Sequence, residues 1–465
     1  MEEKIAESFG KIATVHRSAV TVQPKNLYRR FYNLARRRLG RNAASSRNDE
    51  AASSRPARYR PDQRELQTVK NKLERLLTEN IMPFWYPEVI DSVDGGYRLN
   101  HDLYGKWRGP ANKDLITQAR TLWFFSRLFM TRYGAAGHVA AARHGYEFIR
   151  DRMWDREYGG FYWEVDASGK IATRPDKHVC GQAFALYALY EYVAATGDAS
   201  GKKLLLELFN VLEARSHDTE YGGYREYFRR DWSFTSTDLT RYVRTPPNVK
   251  LMSTHLHLME AVTWVCHESR DTVARERLLE LILIQLTSLT NKIHGKCTDQ
   301  YGSDWKPQAG SANHRVSFGH LLKTLWMLAE ACAIAGVPNG PLLDLYRQGF
   351  RQALKDGFDH RQGGFYEEGP FGGRADHRDK VWYVQAEGML CALQMHRLLG
   401  GDEYWKSFTQ TLEWIMEAQA DWRHGDWHWQ VAPDGTPSGD KAAPWKGPYH
   451  NGRAVIRCLE LLATD

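Results

Sequence analysis

"REYGGFYWEV", residues 156–165, decides how the chain is read. Paired glycines supply backbone with positive φ, and the rings that follow pack along a pleat, so the stretch predicts a tight hairpin. The signature recurs, whole or as a relic. It stands as "VDGGYRL" at Gly95–Gly96, "TEYGGYREYF" at Gly222–Gly223, "DQYGSDWKP" at Gly302, "HRQGGFYEEG" at Gly363–Gly364 and "RHGDWHWQV" at Gly425. Successive intervals are 64, 63, 80, 61 and 62 residues. Six units of such a period mean a repeat architecture.

Two helical patterns fill each interval, at 64–81, 113–132, 137–153, 177–196, 199–214, 247–268, 271–291, 315–336, 340–356, 380–399, 402–419 and 449–463. Apolar residues recur at helical spacing within them, for example Leu122, Phe125, Leu128 and Phe129. Twelve helices in six pairs, each pair tied by a hairpin, predict an all-α (α/α)6 toroid. Alternate helices form an inner and an outer ring, and closure leaves no end in need of a cap. The toroid occupies 61–465 as one domain, preceded by an extension over 1–60.

That extension carries 14 Lys and Arg against 5 Asp and Glu, so +9 of the chain's net +7 sits there and the remaining 405 residues sum to −2. The charge therefore belongs to the tail, and nothing in the body points to nucleic acid. The stretch 26–39 reads as a short basic amphipathic helix. The Ala/Ser/Arg-rich segment after it is poor in apolar residues and predicts disorder. A solvated extension is favoured over an anchor for an anionic surface. No stretch approaches the ~18 apolar residues of a membrane span, and the N-terminus lacks a secretory apolar core. The six cysteines (180, 266, 297, 332, 391 and 458) are scattered without a CxxC, which reads as reduced thiols in a cytoplasmic protein.

Unusual polar residues concentrate in the even helices. These open with "KDLITQAR", "KHVCGQAF", "NVKLMSTHLHLMEA", "SFGHLLKTLW", "WYVQAEGM" and "KGPYHNGRA". On an inner ring, their first turns converge on one mouth. His257, His320 and His450 then face a common cavity with Arg120, Glu387, Trp382 and Trp445. A guanidinium inside an apolar helix needs a polar partner, either a ligand or an internal glutamate. The tryptophans read equally as core or as platforms for sugar rings. His255 and His257 are split by their i, i+2 spacing, and with no HExxH or CxxC present no zinc site is expected. Ser317 reads as an N-cap that makes His320 the third helical residue, and Pro448 as a first helical residue that does the same for His450. A helix N-terminus disfavours imidazolium, so both rings are suited to act as bases.

In this order on a twelve-helix repeat, "KDLITQAR", "GQAFALYAL", "HLHLMEA", "FGH", "VQAE" and "KGPYHNGRA" resemble the N-acylglucosamine 2-epimerase family, nearest its cellobiose 2-epimerase and aldose–ketose isomerase branches. The resemblance covers about 64–463, with "QAR" and "KGPYHNGR" its most specific pieces. It implies an (α/α)6 barrel and an isomerase that needs neither redox cofactor nor metal. The implied substrate is a mono- or disaccharide, attacked at C2 of its reducing end through an enediol-like intermediate. The acid/base histidines it implies are His320 and His450, and the substrate contacts are Arg120, His257, Trp382, Glu387 and Trp445. Three positions depart from the pattern. Ser253 stands where an asparagine is usual, Cys180 replaces a tyrosine, and Lys323 replaces a glutamate three residues after His320. An ammonium there lowers a nearby imidazole pKa and offers a donor to a substrate oxygen. Ser253 and Lys323 are accordingly taken as substrate-binding positions.

Two other functions fit the same toroid. A glycoside hydrolase or lyase would use a pair among Glu164, Glu226, Glu367 and Glu387. A carbohydrate-binding protein would keep the cavity without the chemistry. Neither the sugar nor the choice between monomer and homodimer is written in the sequence.

Overall fold

The computed structural model describes residues 59–234, 248–269, 271–294, 299–310 and 314–463. The disorder and basic helix expected before residue 59, and Cys297, lie outside the described residues. Twelve helical segments follow in order. They are α1 (Gln63–Arg75, continued through Leu76–Ile81 and Met82–Trp85), α2 (Leu115–Phe129), α3 (Ala136–Phe148, continued through Ile149–Met153) and α4 (Val179–Thr196). Next come α5 (Ala199–Arg215), α6 (Met252–Ser269), α7 (Thr272–Ile293) and α8 (Phe318–Ala335). The last four are α9 (Leu343–Gly357), α10 (Trp382–Leu399), α11 (Asp402–Trp414, continued through Ile415–Gln419) and α12 (Tyr449–Ala463).

Composition sorts the helices into two rings. In α4 every residue from Val179 to Val193 is buried, as a helix enclosed on all sides requires. In α5 burial is confined to a stripe through Gly201, Leu204, Leu205, Leu208, Phe209 and Leu212. Each even helix packs on the even helices before and after it, and α12 packs on α2, which closes the inner ring. The odd helices pack behind their even neighbours. One hydrophobic cluster draws on all twelve.

Most even helices begin two to five residues later than the sequence pattern predicts, because their lead residues form short strands. Lys113–Asp114 pairs antiparallel with Glu164–Val165, and Lys177–His178 pairs with Tyr227–Phe228. Val249–Leu251 pairs with Gln300–Gly302, Arg315–Ser317 with Glu368–Pro370, and Lys380–Val381 with Gln430–Val431. The strand before each inner helix is thus bonded to the following hairpin, and the His101–Ala442 bridge joins the last unit to the first. The second hairpin turn shows why its glycines are needed. Gly159 and Gly160 have φ of 71° and 72°, and a Cβ on Gly160 would lie 2.6 Å from Trp232.

A buried lysine ties four of the five lead strands, all but Arg315–Ser317, to the turn of the preceding hairpin, and Lys441 does the same ahead of α12. Lys380 Nζ donates to Asp359 Oδ2 at 2.8 Å and to the Gly363 carbonyl at 2.7 Å. Lys113, Lys177, Lys250 and Lys441 repeat this with Asp91, Asp155, Asp218 and Asp421. Lys380→Met leaves a buried carboxylate without its counter-charge and should lower unfolding stability by about 3–5 kcal/mol in urea titration. Adding Asp359→Asn should recover most of that loss. Equal instability of the single and double variants would contradict the pairing.

Candidate active site

The geometry of the mouth follows from one repeated bond. In α2, α4 and α10 the fourth helical residue is a glutamine whose amide accepts a backbone N–H and donates to a carbonyl of the preceding hairpin. Gln118 does so with Tyr97, Gln182 with Phe161 and Gln385 with Phe365, at 2.6–2.9 Å. In α6 the fourth residue is His255, whose Nε2 accepts the Tyr224 N–H at 2.9 Å while Nδ1 bonds the Leu251 carbonyl at 2.7 Å. His255 is therefore structural. Its spacing from His257 carries a helix register and not a metal pair.

Two residues beyond this anchor, the sixth helical positions are Arg120, Phe184, His257, Lys323 and Glu387. They meet in order around the ring. The Arg120 guanidinium lies 4.2 Å from the Phe184 centroid, Phe184 and His257 rings are 4.3 Å apart, and Lys323 Nζ is 3.1 Å from His257 Nδ1. On α12, His450 Nδ1 meets Glu387 Oε1 at 2.7 Å, and the Tyr449 ring lies 5.3 Å from the Arg120 guanidinium. That closes the circle.

Glu387 is the best-satisfied carboxylate at the mouth. It accepts from His450, from Trp326 Nε1 at 2.9 Å and from Arg453. Burial pushes its acidity down, but Arg453, the His450 bond and Lys323 outweigh this and hold its pKa well below the carboxylate range. Arg453 also pairs with Glu260, which accepts from the Tyr449 hydroxyl at 2.6 Å. Glu260 has its pKa raised, by burial above all. Burial also drives the His450 pKa well below that of free imidazole, against the opposing pull of Glu387. A neutral His450 donates Nδ1–H to the carboxylate and keeps its Nε2 lone pair.

His320 is the third residue of α8, and Ser317 caps the helix by accepting the His320 N–H at 3.3 Å. Burial lowers its pKa to about 4. The Tyr383 ring lies 6.0 Å from His320 and 5.6 Å from His450, so both imidazoles neighbour one tyrosine, and its hydroxyl bonds Ser317 Oγ at 3.2 Å. One expectation needs correction. Helix α12 begins at Tyr449, so His450 is its second residue, and Pro448 serves as a cap whose carbonyl accepts the Gly452 N–H. Lys323 adds to the lowering of the His320 pKa through its charge, as expected. Its long stem crosses to α6, where its partner is His257.

Arg120 is buried and has no carboxylate within ion-pair distance among the described residues. Its Nη1 donates to the Trp445 carbonyl at 2.7 Å, while its Nε has no hydrogen-bond partner. The Trp382 indole N–H and Glu226 Oε2 are likewise buried without partners. Trp382 is packed against Trp429, ring centroids 4.6 Å apart, and lies edge-on to His450. Trp445 is half-buried and lies 6.2 Å from Trp163. Ser253 is half-buried in the first turn of α6. The Cys180 thiol, pushed up to about 12 by burial, stays neutral. Of the carboxylates a hydrolase would need, Glu226 is held by Thr254 and His178, and Glu164 bonds Asn112 and Thr173. Among the described residues no group of three His, Cys, Asp or Glu is placed to hold a metal ion, and no helix is long and apolar enough to cross a membrane.

Sequence reading missed Glu260, Arg453, Tyr449, Tyr383 and Trp326. The first two had a signal. A glutamate three residues after His257 and an arginine four after Tyr449 are charges inside apolar helices, and such charges must pair.

A closed double ring of helices with histidines, cations and aromatics at one mouth is the architecture of a carbohydrate-active toroid. A family model for N-acylglucosamine 2-epimerase matches residues 95–454, and the chain belongs to that family. It is 30% identical to a cellobiose 2-epimerase of Bacteroides fragilis over 85% of this chain and 98% of that one. A D-mannose isomerase of Marinomonas mediterranea is 23% identical over 83% and 95%. The solved cellobiose 2-epimerase of Spirochaeta thermophila superposes with a TM-score of 0.78 at 30% identity, covering 86% of this chain and 98% of that one.

The two arginines should behave oppositely. Arg453→Met strips two buried carboxylates of a shared partner and should destabilise the fold by about 3–5 kcal/mol. Arg120→Met removes a buried cation that no carboxylate balances, so stability should hold or rise while activity is lost. Thermal unfolding of both variants decides it, and a strongly destabilised Arg120→Met would show that Arg120 is structural.

Proposed function

We propose that the chain is a sugar 2-epimerase or aldose–ketose isomerase that moves a proton at C2 of an open-chain reducing sugar. One observation carries this reading. Two neutral imidazoles, the half-buried His320 and the buried His450, come from different helices to pack near one tyrosine, Tyr383. The C2 proton is acidic because it lies alpha to the aldehyde. One histidine removes it and leaves an enediolate. Proton return to the opposite face of C2 gives the epimer, and return to C1 gives the ketose. Each well-placed acid or base contributes about 10²–10⁴ in rate.

Arg120 offers its unpartnered Nε–H to the developing oxyanion, and such preorganised donors act most strongly where charge develops. His257 stands beside it at the same level. Glu387 acts through His450 by holding Nδ1–H, which leaves Nε2 to take the proton. Trp382 and Trp445 serve as faces for sugar rings, and Ser253 in the first turn of α6 as a polar contact for the substrate. Relatives at 30% identity over nearly their whole length are named cellobiose 2-epimerases, which favours a β-1,4-linked disaccharide as substrate. Residues 61–465 form the catalytic unit, and Tyr59 just before it donates its N–H to the Gly400 carbonyl. The five described cysteines are free buried thiols, in keeping with a reducing cytoplasm.

In deuterium oxide, a panel of monosaccharides and β-1,4 disaccharides should include one whose epimer or ketose carries solvent deuterium. Asparagine at His320 or at His450 should slow interconversion by about 10²–10⁴. Release of new reducing ends, or binding with no exchange, would defeat the proposal. The pH profile tests it separately. A histidine base works when neutral, and burial lowers the His320 pKa to about 4. The kcat/KM should therefore be level near neutral pH and fall as pH drops toward about 4. A fall centred on the ordinary histidine pKa, ~6.5, would contradict that environment.

A further inference from the structure

The lysine that departs from the family pattern sits in the one place where it can control a second imidazole. We propose that Lys323 is a positioning residue that fixes the tautomer of His257, holding Nδ1 as an acceptor and Nε2–H as a donor toward the mouth. What that donor serves rests on the sugar-isomerase reading; the tautomer does not.

Lys323 Nζ lies 3.1 Å from His257 Nδ1. An ammonium has three protons to give and no lone pair to accept with, so the ring must accept at Nδ1. A neutral imidazole that accepts at one nitrogen carries its proton on the other. The second group near Nδ1 is Glu260 Oε2, 3.7 Å away on the same helix, beyond hydrogen-bond reach. A glutamate at 323 would reverse the arrangement, because a carboxylate accepts. Nδ1 would then hold the proton and Nε2 would present a lone pair. The departure at 323 thus changes what His257 offers a substrate oxygen from acceptor to donor.

Charge supports the same conclusion. Lys323 is almost wholly buried, and its nearest countercharges, Glu260 and Glu387, are both paired with Arg453. Lys323 and Arg453 therefore share those two carboxylates, while Asp114 at the head of α2 acts on Arg120 at longer range. The groups bearing on His257 are Lys323, Arg120, His320 and His450 from neighbouring elements, and Glu260 from its own. Burial and these cations keep its ring neutral. A neutral Nε2–H backed by an ammonium is a donor for an oxyanion and has no capacity to act as a base there.

Long-range proton–nitrogen correlation spectra of the full-length protein, with nitrogen-15 in its histidines, read the tautomer directly. His257→Gln identifies the signals by their loss. Wild-type His257 should show a protonated Nε2 and a pyridine-like Nδ1. Lys323→Glu should invert the pattern, and Lys323→Met, which keeps the stem, should abolish the single preferred tautomer. A protonated Nδ1 in the wild type, or a pattern unchanged in both variants, overturns the proposal. Circular dichroism checks that all three variants are folded, and the wild-type tautomer alone can overturn the proposal. A wild type with the stated tautomer that exchanges no C2 proton on any sugar would leave the Lys323 assignment standing and defeat the proposed reaction instead.

Discussion

The depth of four of the six inner helices is fixed by the bond between the fourth residue and the hairpin before it. An amide side chain that both accepts from and donates to the backbone of one strand tolerates no slip along the helix axis, because either bond would be lost. Gln118, Gln182 and Gln385 hold three helices this way and His255 holds a fourth. The buried Lys–Asp pairs beneath the lead strands keep the hairpins level. Two residues further along these helices, the side chains meet around the mouth. Arg120, His257 and Glu387 are brought together by that register, though no two of them are within 60 residues in sequence.

Electrostatics then decides which groups can react. Desolvation outweighs every other influence on His257, His320 and His450 and keeps all three neutral. For Glu387 the balance runs the other way. A guanidinium, an imidazole N–H and a nearby ammonium overcome burial, so the carboxylate stays ionised and cannot serve as an acid. The mouth is thus poor in groups that protonate a glycosidic oxygen and rich in neutral bases beside fixed cations, which suits a reaction whose intermediate is an anion.

Much of this was legible in the sequence. The glycine-pair period gave six units, and helical spacing between them gave the toroid. "QAR", "GQAF" and "VQAE" each place a glutamine two residues before the inward-facing Arg120, Phe184 or Glu387, so the anchor itself was written out. The helix starts were harder. Two-residue strands such as Lys177–His178 have too few side chains to show alternation, and only pairing with the next hairpin reveals them. The direction of Lys323 was illegible for another reason. Spacing along α8 put it beside His320, but a four-carbon stem reaches a neighbouring helix, and nothing in one helix's sequence tells which partner it finds.

The central claim is that His320 and His450 serve opposite faces of one carbon. Exchange without net conversion tests it most directly. With each asparagine variant, substrate and epimer would be incubated separately in deuterium oxide and C2 deuterium followed by NMR. The account predicts that each variant still exchanges the epimer whose C2 proton faces its remaining histidine, fails to exchange the other, and interconverts neither at an appreciable rate. A single variant that exchanges both epimers and interconverts them would show that one base suffices and would contradict the account.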